Sequence, residues 1–185
     1  MERKWDSRLD ALGVRVESPP NAQVRLVQAR WVGPDEAGDK FYIFVRVQDE
    51  QGRPLQGQEF RVEFQTDTIE RRVERTKGPG LDDFYGNFPM AIGLVHTVDI
   101  PGVTSDRVTG LKRGAPGNPE ANTCFYLVFQ RGAQVEWPRI PPNEPHSEPG
   151  QPSTVDEATR QKLLALLDKA QVEIDAARKL LEEKK

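Results

Sequence analysis

Alternating apolar and polar residues recur in short runs over the first two thirds of the chain, from Leu12 to about Trp137. Successive side chains of a β-strand point to opposite faces, so a period of two predicts strands with one buried face. Six runs carry this pattern, at residues 14–16, 24–31, 41–47, 60–64, 94–100 and 125–129. Clusters of Gly, Pro, Asn and Asp separate the runs, and these residues favour turns. The pattern therefore predicts a mainly β domain.

The composition of individual runs predicts how the strands are arranged. The run at 41–47 is the most apolar, so we expect it to be central. The segment at 71–75 has Val73 as its only apolar residue, and its charges are typical of an edge strand. The alternation changes phase between Leu26 and Val27, which indicates a β-bulge. Because no helical period separates the strands, we expect an antiparallel β-sandwich of about seven strands.

A proline-rich segment follows the predicted sandwich. Between residues 137 and 153 the prolines are Pro138, Pro141, Pro142, Pro145, Pro149 and Pro152. Proline lacks the backbone donor that ladders and helices need, so this segment is predicted to be an extended spacer. A ligand for an SH3-like domain is the alternative, since Pro-x-x-P spacing occurs in it. We interpret the chain as a sandwich domain at 1–136, a linker at 137–153 and a helix at 154–185.

The last segment, residues 154–185, has the period of an amphipathic helix. Thr154 and Glu157 at its start fit a capping box. Apolar residues then recur at spacings of four and three, which predicts a coiled-coil seam of about three heptads. The seam residues are Leu163, Leu167, Ala170, Ile174, Ala177 and Leu181. The helix can fold back onto the sandwich or join other helices; the spacer and the heptad period favour a homo-oligomer or a helical protein partner.

Charge and composition count against several classes of partner. The formal net charge is −3 and no basic stripe interrupts the chain, so we expect no nucleic-acid partner. No apolar run reaches the roughly 20 residues that a spanning helix needs, so no membrane insertion is expected. The first ten residues are charged and lack the apolar core of an export signal. We therefore expect no signal peptide within the chain.

Residues suited to catalysis are few and scattered. His96 alternates with apolar residues in a predicted strand and is expected in the core, whereas His146 lies in the proline-rich segment. Cys124 is the only cysteine, and its apolar neighbours favour a buried thiol over a reactive one. The chain has no Gly-x-Ser-x-Gly motif, phosphate-binding glycine loop or His-Glu-x-x-His motif. We expect a protein that is not an enzyme and has no cofactor.

Aromatic and acidic residues of the segment 79–90 are the candidates for ligand binding. Exposed rings can stack on a sugar or anchor a protein partner, although they can equally cap the core. The candidate stacking residues are Phe84, Tyr85, Trp31 and Trp137. The oxygen-rich side chains of this segment make a weak calcium candidate, with plain turn chemistry as the alternative. Those side chains are Asp82, Asp83 and Asn87. Trp5, in a charged segment, is expected to dock onto the domain.

A strand, a turn and a second strand follow one another at residues 47–62. The turn, 47–57 (VQDEQGRPLQG), uses Gly52 for its backbone and Pro54 at a strand edge. This segment resembles the signature of bacterial immunoglobulin-like and transthyretin-like (Cna B-type) β-sandwich surface modules. Residues 85–111 resemble uncharacterised accessory domains of cell-wall lysozyme-like and other exported proteins of Chloroflexi-type bacteria. The similarity covers about residues 9–131.

The resemblance implies an immunoglobulin-like sandwich that is extracellular or on the cell surface and contacts a glycan. It assigns no binding residue. Two functions are therefore expected. The first is a binding or assembly module, in which the sandwich presents an interaction surface and the C-terminal helix mediates self-association or docking to a partner. The alternative is a carbohydrate-binding accessory module that recognises a cell-wall or surface glycan.

Overall fold

The structure is a computed structural model, and it describes residues 2–80 and 82–135. Within these residues the strands are β1 (Lys4–Trp5), β2 (Arg15–Glu17), β3 (Val24–Val32), β4 (Tyr42–Gln48), β5 (Glu59–Gln65), β6 (Ile69–Arg75), β7 (Gly86–Pro89), β8 (Val95–Asp99), β9 (Arg107–Lys112) and β10 (Cys124–Arg131). The helices are short: α1 (Arg8–Ala11) and α2 (Pro34–Ala37). Asp82–Phe84 forms a single turn. The predicted linker and helix, with the seam residues and Trp137, lie outside the described residues.

The strands form two five-stranded sheets. The first sheet has the order β1-β3-β10-β4-β7, and the second sheet has the order β2-β9-β8-β5-β6. The protein is therefore mainly β, as the alternation predicts, and it has the two sheets of a β-sandwich. The structure resolves ten strands in its described residues where about seven are expected.

The last described strand, β10, lies in the middle of the first sheet, between β3 and β4. Because β3 and β4 run in opposite directions, a strand between them must be parallel to one of them. β10 is antiparallel to β3 and parallel to β4, and β1 is parallel to β3. The prediction of wholly antiparallel sheets is wrong at these two parallel pairs. β4 is an inner strand, paired with β10 and β7, as its apolar run predicts, although β10 takes the middle position.

The inner faces of the two sheets share one apolar core. Ile43 and Phe125 enter it from the first sheet, and Phe60 and Val62 enter it from the second, each with at most 1 % exposure. Full burial of such a side chain stabilises a fold by about 1.5–3 kcal/mol. Since these residues occupy alternate positions of their strands, the same alternation decides which side chains face outward.

Each of the six predicted runs overlaps a strand of the structure. β6 lies at an edge of the second sheet, as its charges predict. The predicted bulge is confirmed, because Val128 pairs with Gln28 whereas Phe129 pairs with Leu26. Strands β1, β7 and β9 are not among the predicted runs: the first two have only 2 and 4 residues, too few to show alternation, and a glycine interrupts the third.

The N-terminal segment is bound to the sandwich at two points. Trp5 docks as predicted, since its ring packs against the core and its backbone pairs with Ala29. Arg3, two residues earlier, forms an ion pair with Asp106, with side-chain exposures of 1 % and 0 %. Asp106 also accepts a hydrogen bond from the backbone N–H of Leu26 at 2.9 Å. Asp106, directly before β9, therefore joins the second sheet to the N-terminal segment and to strand β3 of the first sheet.

Candidate binding face on the first sheet

The outer face of the first sheet carries a cluster of aromatic side chains. Tyr126 of β10 and Phe44 of β4 are opposite each other in register, and their rings stack with centroids 4.6 Å apart and an interplanar angle of 16°. Tyr42 lies on the same face, with its centroid 5.8 Å from that of Phe44. Alternation turns these rings outward, because the intervening Ile43 enters the core. With Tyr85, these residues form what we call the aromatic face.

Tyr85 joins the aromatic face from the loop that precedes β7. Its ring stands edge-on to Tyr126, at 5.4 Å and 86°, and to Phe44, at 6.3 Å and 85°. The guanidinium of Arg46 lies 4.3 Å from the centroid of the Tyr85 ring. The same guanidinium donates through Nη2 to the backbone oxygen of Asp83 at 2.5 Å. Cation–π and edge-to-face contacts therefore fix the position of Tyr85 before any ligand arrives.

The turn before Tyr85 has an unusual backbone. Asp82, Asp83 and Phe84 all have positive φ, at 54°, 47° and 69°. Residues with a Cβ pay about 1–2 kcal/mol each in this left-handed region, so three in succession make a strained turn. The Lys77 ammonium, 2.8 Å from Asp82 Oδ2, and the Arg46 bond to Asp83 restrain it. Strain of this kind is concentrated at functional sites in proteins, which agrees with the position of the turn beside the aromatic face.

The aromatic face combines apolar surface with uncharged polar groups. Phe44 is only 8 % exposed and lies buried among the other rings. Tyr42, Tyr85 and Tyr126 are half-buried, so part of each ring is accessible to a ligand. Burial raises the pKa of Tyr85 and the pKa of Tyr126 above the usual value of a phenol. Both hydroxyls therefore stay protonated at neutral pH and can donate as well as accept a hydrogen bond.

The predicted stacking residues separate in the structure. Tyr85 belongs to the aromatic face, whereas Phe84 makes none of its ring contacts. Trp31 is 9 % exposed, packs in the core, and has the Arg8 guanidinium 5.0 Å from its ring centroid. It offers little surface to a ligand, because it lies on the inner side of β3. Trp137 lies outside the described residues, so its part stays a prediction.

Sequence reasoning missed three members of the aromatic face, Tyr42, Phe44 and Tyr126. A signal for them exists. β4 and β10 are apolar at consecutive positions, whereas a strand with one face in water alternates apolar and polar residues. Aromatic residues out of phase with the core positions therefore indicate a second apolar surface on the outer side of this sheet.

The calcium candidates occupy different surroundings in the structure. Asp82 pairs with Lys77, and both Asp82 and Asp83 are exposed, while Asn87 lies in β7 opposite Phe44. Across residues 2–80 and 82–135, no group of three or more His, Cys, Asp or Glu side chains comes together that could hold a metal ion. A calcium site at Asp82, Asp83 and Asn87 stays a prediction.

The two groups with potential for catalysis that the structure describes are both buried. His96 is 1 % exposed between the rings of Phe64 and Phe88, and its Nδ1 lies 3.2 Å from the backbone oxygen of Leu111. Cys124 is also 1 % exposed, and its Sγ accepts from the backbone N–H of Tyr42 at 3.5 Å. The predicted burial of both is confirmed, although Cys124 packs with Phe44 on the outer side of the first sheet and not between the sheets. Burial raises the pKa of the Cys124 thiol, which lowers its reactivity.

Comparison with known proteins finds no family model, no curated protein and no solved structure that matches this chain. In the part of the chain that the structure describes, no helix is long and apolar enough to cross a membrane. The geometry of the aromatic face and the pattern of the sequence are therefore the observations that indicate a function.

Proposed function

We propose that the protein is a binding or assembly module. In this proposal the aromatic face is the interaction surface, and the helix predicted at 154–185 joins the chain to other helices. The observation that carries the proposal is the group of half-buried rings on the outer face of the first sheet, held in place by Arg46. Tyr and Arg are enriched at the centres of protein interfaces.

The predicted helix supplies the assembly half of the proposal. Its seam of Leu, Ile and Ala repeats every seven residues, and a seam of this width is unstable alone in water. Sedimentation velocity of the full chain and of a chain that ends at residue 153 tests this half. The full chain is expected to sediment as an oligomer or to show concentration-dependent mass, and the shortened chain as a folded monomer. If both are monomers at every concentration, the assembly half is contradicted.

A glycan is the second candidate ligand of the aromatic face. The half-buried rings of Tyr126, which stacks on Phe44, and of Tyr85 present apolar surface beside hydrogen-bonding hydroxyls, which suits the C–H faces and hydroxyls of a sugar. Titration calorimetry with neutral oligosaccharides tests this candidate. Tyr85→Ala is expected to abolish binding, whereas Ile92→Ala, at an exposed loop residue, is expected to leave it unchanged.

The immunoglobulin-like or transthyretin-like character of the sandwich, and an extracellular or cell-surface location, are part of the same proposal. The two-sheet fold and the turn at residues 47–57 support the former. Detection of the native protein in the surface fraction of intact cells, by its sensitivity to added protease, tests the latter. Complete protection from protease in intact cells contradicts it.

A further inference from the structure

A second feature of the first sheet's outer face is a pocket at the other end of its strands, lined by amide and apolar side chains. The pocket has a volume of about 350 Å³ and is lined by side chains of β1, β3, β4 and β10. We call it the glutamine pocket; its principal residues are Lys4, Val27, Gln28, Gln48, Val128 and Gln130. Strand register brings the amides together, since Gln130 pairs with Gln48 and Val128 pairs with Gln28.

The side-chain amides of the glutamine pocket have donor and acceptor groups available for a ligand. Gln130 is 6 % exposed, and its Nε2 donates to the backbone oxygen of Glu50 at 3.2 Å, which orients the amide and leaves its Oε1 and its second N–H to bind a ligand. Within the described residues, the side chains of Gln28 and Gln48 have no hydrogen-bond partner. An amide both donates and accepts, so this lining matches a ligand whose groups also do both, such as a hydroxyl.

The charge and the apolar floor of the pocket narrow the class of ligand. Glu2 and Lys4 at its rim carry opposite charges, so the pocket has no excess of either sign. Val27 and Val128, at 8 % and 4 % exposure, supply an apolar floor between the amides. A neutral ligand with an apolar face and a rim of hydroxyls satisfies both features. The volume lies at the small end of ligand sites, which fits roughly one or two sugar rings.

The glutamine pocket is continuous with the aromatic face. Val27 and Val128 belong to a cluster against which the Tyr85 ring packs. Tyr126 and Gln130 are four positions apart on β10, which corresponds to about 13 Å along the strand. One extended ligand that lies along β10 can therefore contact the tyrosines at one end and the glutamines at the other.

We infer that the glutamine pocket is a subsite for a neutral saccharide unit of a glycan chain whose neighbouring unit stacks on the aromatic face. This inference rests on the glycan candidate proposed above. Gln28 and Gln48 bond the hydroxyls of the sugar, Gln130 adds an oriented acceptor, and the two valines contact its C–H face. None of these residues is recognisable as a site from the sequence, because they come from separate strands.

Titration calorimetry of the full chain with cellohexaose, mannohexaose and chitohexaose tests the inference. At least one of these is expected to bind, and Gln28→Ala and Gln48→Ala are each expected to weaken that binding about fivefold, the loss of one hydrogen bond. Gln65→Ala, at the exposed end of β5 on the second sheet, is the matched control and should not change it. Binding should be insensitive to salt, because the ligand is neutral.

Three results would overturn the inference, and they are distinguishable from one another. If Tyr85→Ala abolishes binding while both glutamine variants bind like the parent, the glycan candidate stands and the pocket does not. If no hexasaccharide binds with a Kd below about 1 mM, the glycan candidate and the saccharide subsite are both contradicted. The assembly half of the proposed function is tested separately, by sedimentation. If a heparin hexasaccharide binds in preference, with strong salt dependence, the ligand is anionic and the assignment of a neutral sugar is wrong.

Discussion

Arg3 and Asp106 are 103 positions apart in the chain, yet Arg3 Nη2 and Asp106 Oδ2 lie 2.8 Å apart in the interior. Arg25 adds a second contact to the same carboxylate, at 3.3 Å. Asp106→Asn removes the buried negative charge that faces the Arg3 and Arg25 guanidiniums. We expect the free energy of unfolding to fall by about 3–5 kcal/mol, measured by urea denaturation.

The control for Asp106→Asn is the exposed ion pair of Arg30 and Glu36, in which both side chains are 53 % exposed. Glu36→Gln is expected to change the free energy of unfolding by less than about 1 kcal/mol, because solvent screens exposed pairs. Equal losses from both substitutions would contradict the view that burial makes the Arg3–Asp106 pair important.

The stacked pair on the aromatic face predicts a stability effect on the outer side of the sheet. Phe44 is 8 % exposed and contacts the rings of Tyr42, Tyr85 and Tyr126. Phe44→Ala is expected to lower the free energy of unfolding by about 3 kcal/mol. Phe41→Ala, at a half-buried neighbouring position, should lower it less. A loss no larger for Phe44 than for Phe41 would show that the aromatic face lacks the packing described.

His96 predicts how stability depends on pH. Burial lowers the pKa of His96 below its usual value, an effect that its hydrogen bond with Leu111 only partly opposes. Below a pH of about 6.5, His96 therefore takes up a proton more readily in the unfolded chain than in the folded chain. The free energy of unfolding should be unaffected by His96 above that pH and should fall as the pH drops below it. His96→Phe should reduce the dependence of the free energy of unfolding on pH between about pH 7 and pH 5. An unchanged dependence would mean that other groups cause it.

Cys124 predicts slow thiol chemistry in the folded state. Its 1 % exposure and raised pKa keep the thiolate scarce and inaccessible. Reaction of Cys124 with a disulfide reagent should be slow in buffer, where its rate is set by unfolding of the protein. The same reaction should be fast in denaturant. Rapid modification of the folded protein would place the thiol at the surface.

Sequence alone predicts the local elements better than their assembly. Alternation locates the strands because one face of each must be buried, and it places His96 inside. Cys124 has the opposite phase to the core residue Phe125 and is buried by the outer cluster that includes Phe44. It does not show that β10 lies between β3 and β4, since this pairing joins residues far apart in the chain. The same limit hides the glutamine pocket. Trp31 is instructive, because it shares the phase of the buried Ala29 and so could have been placed in the core.

The assembly half of the proposed function predicts a difference between two substitutions in the segment 154–185. Ile174→Glu places a charge in the predicted seam, where it should prevent association. Val172→Glu is the matched control, because it puts the same charge in place of another branched apolar residue, at a position outside the seam. Both variants keep the whole sandwich.

Sedimentation velocity of the full chain and these two variants, over a range of concentrations, tests the central claim most directly. The parent chain and Val172→Glu should sediment with the same mass, larger than that of one chain, and Ile174→Glu as a monomer. If all three are monomers, or if all three share one assembled mass, the seam does not assemble this protein.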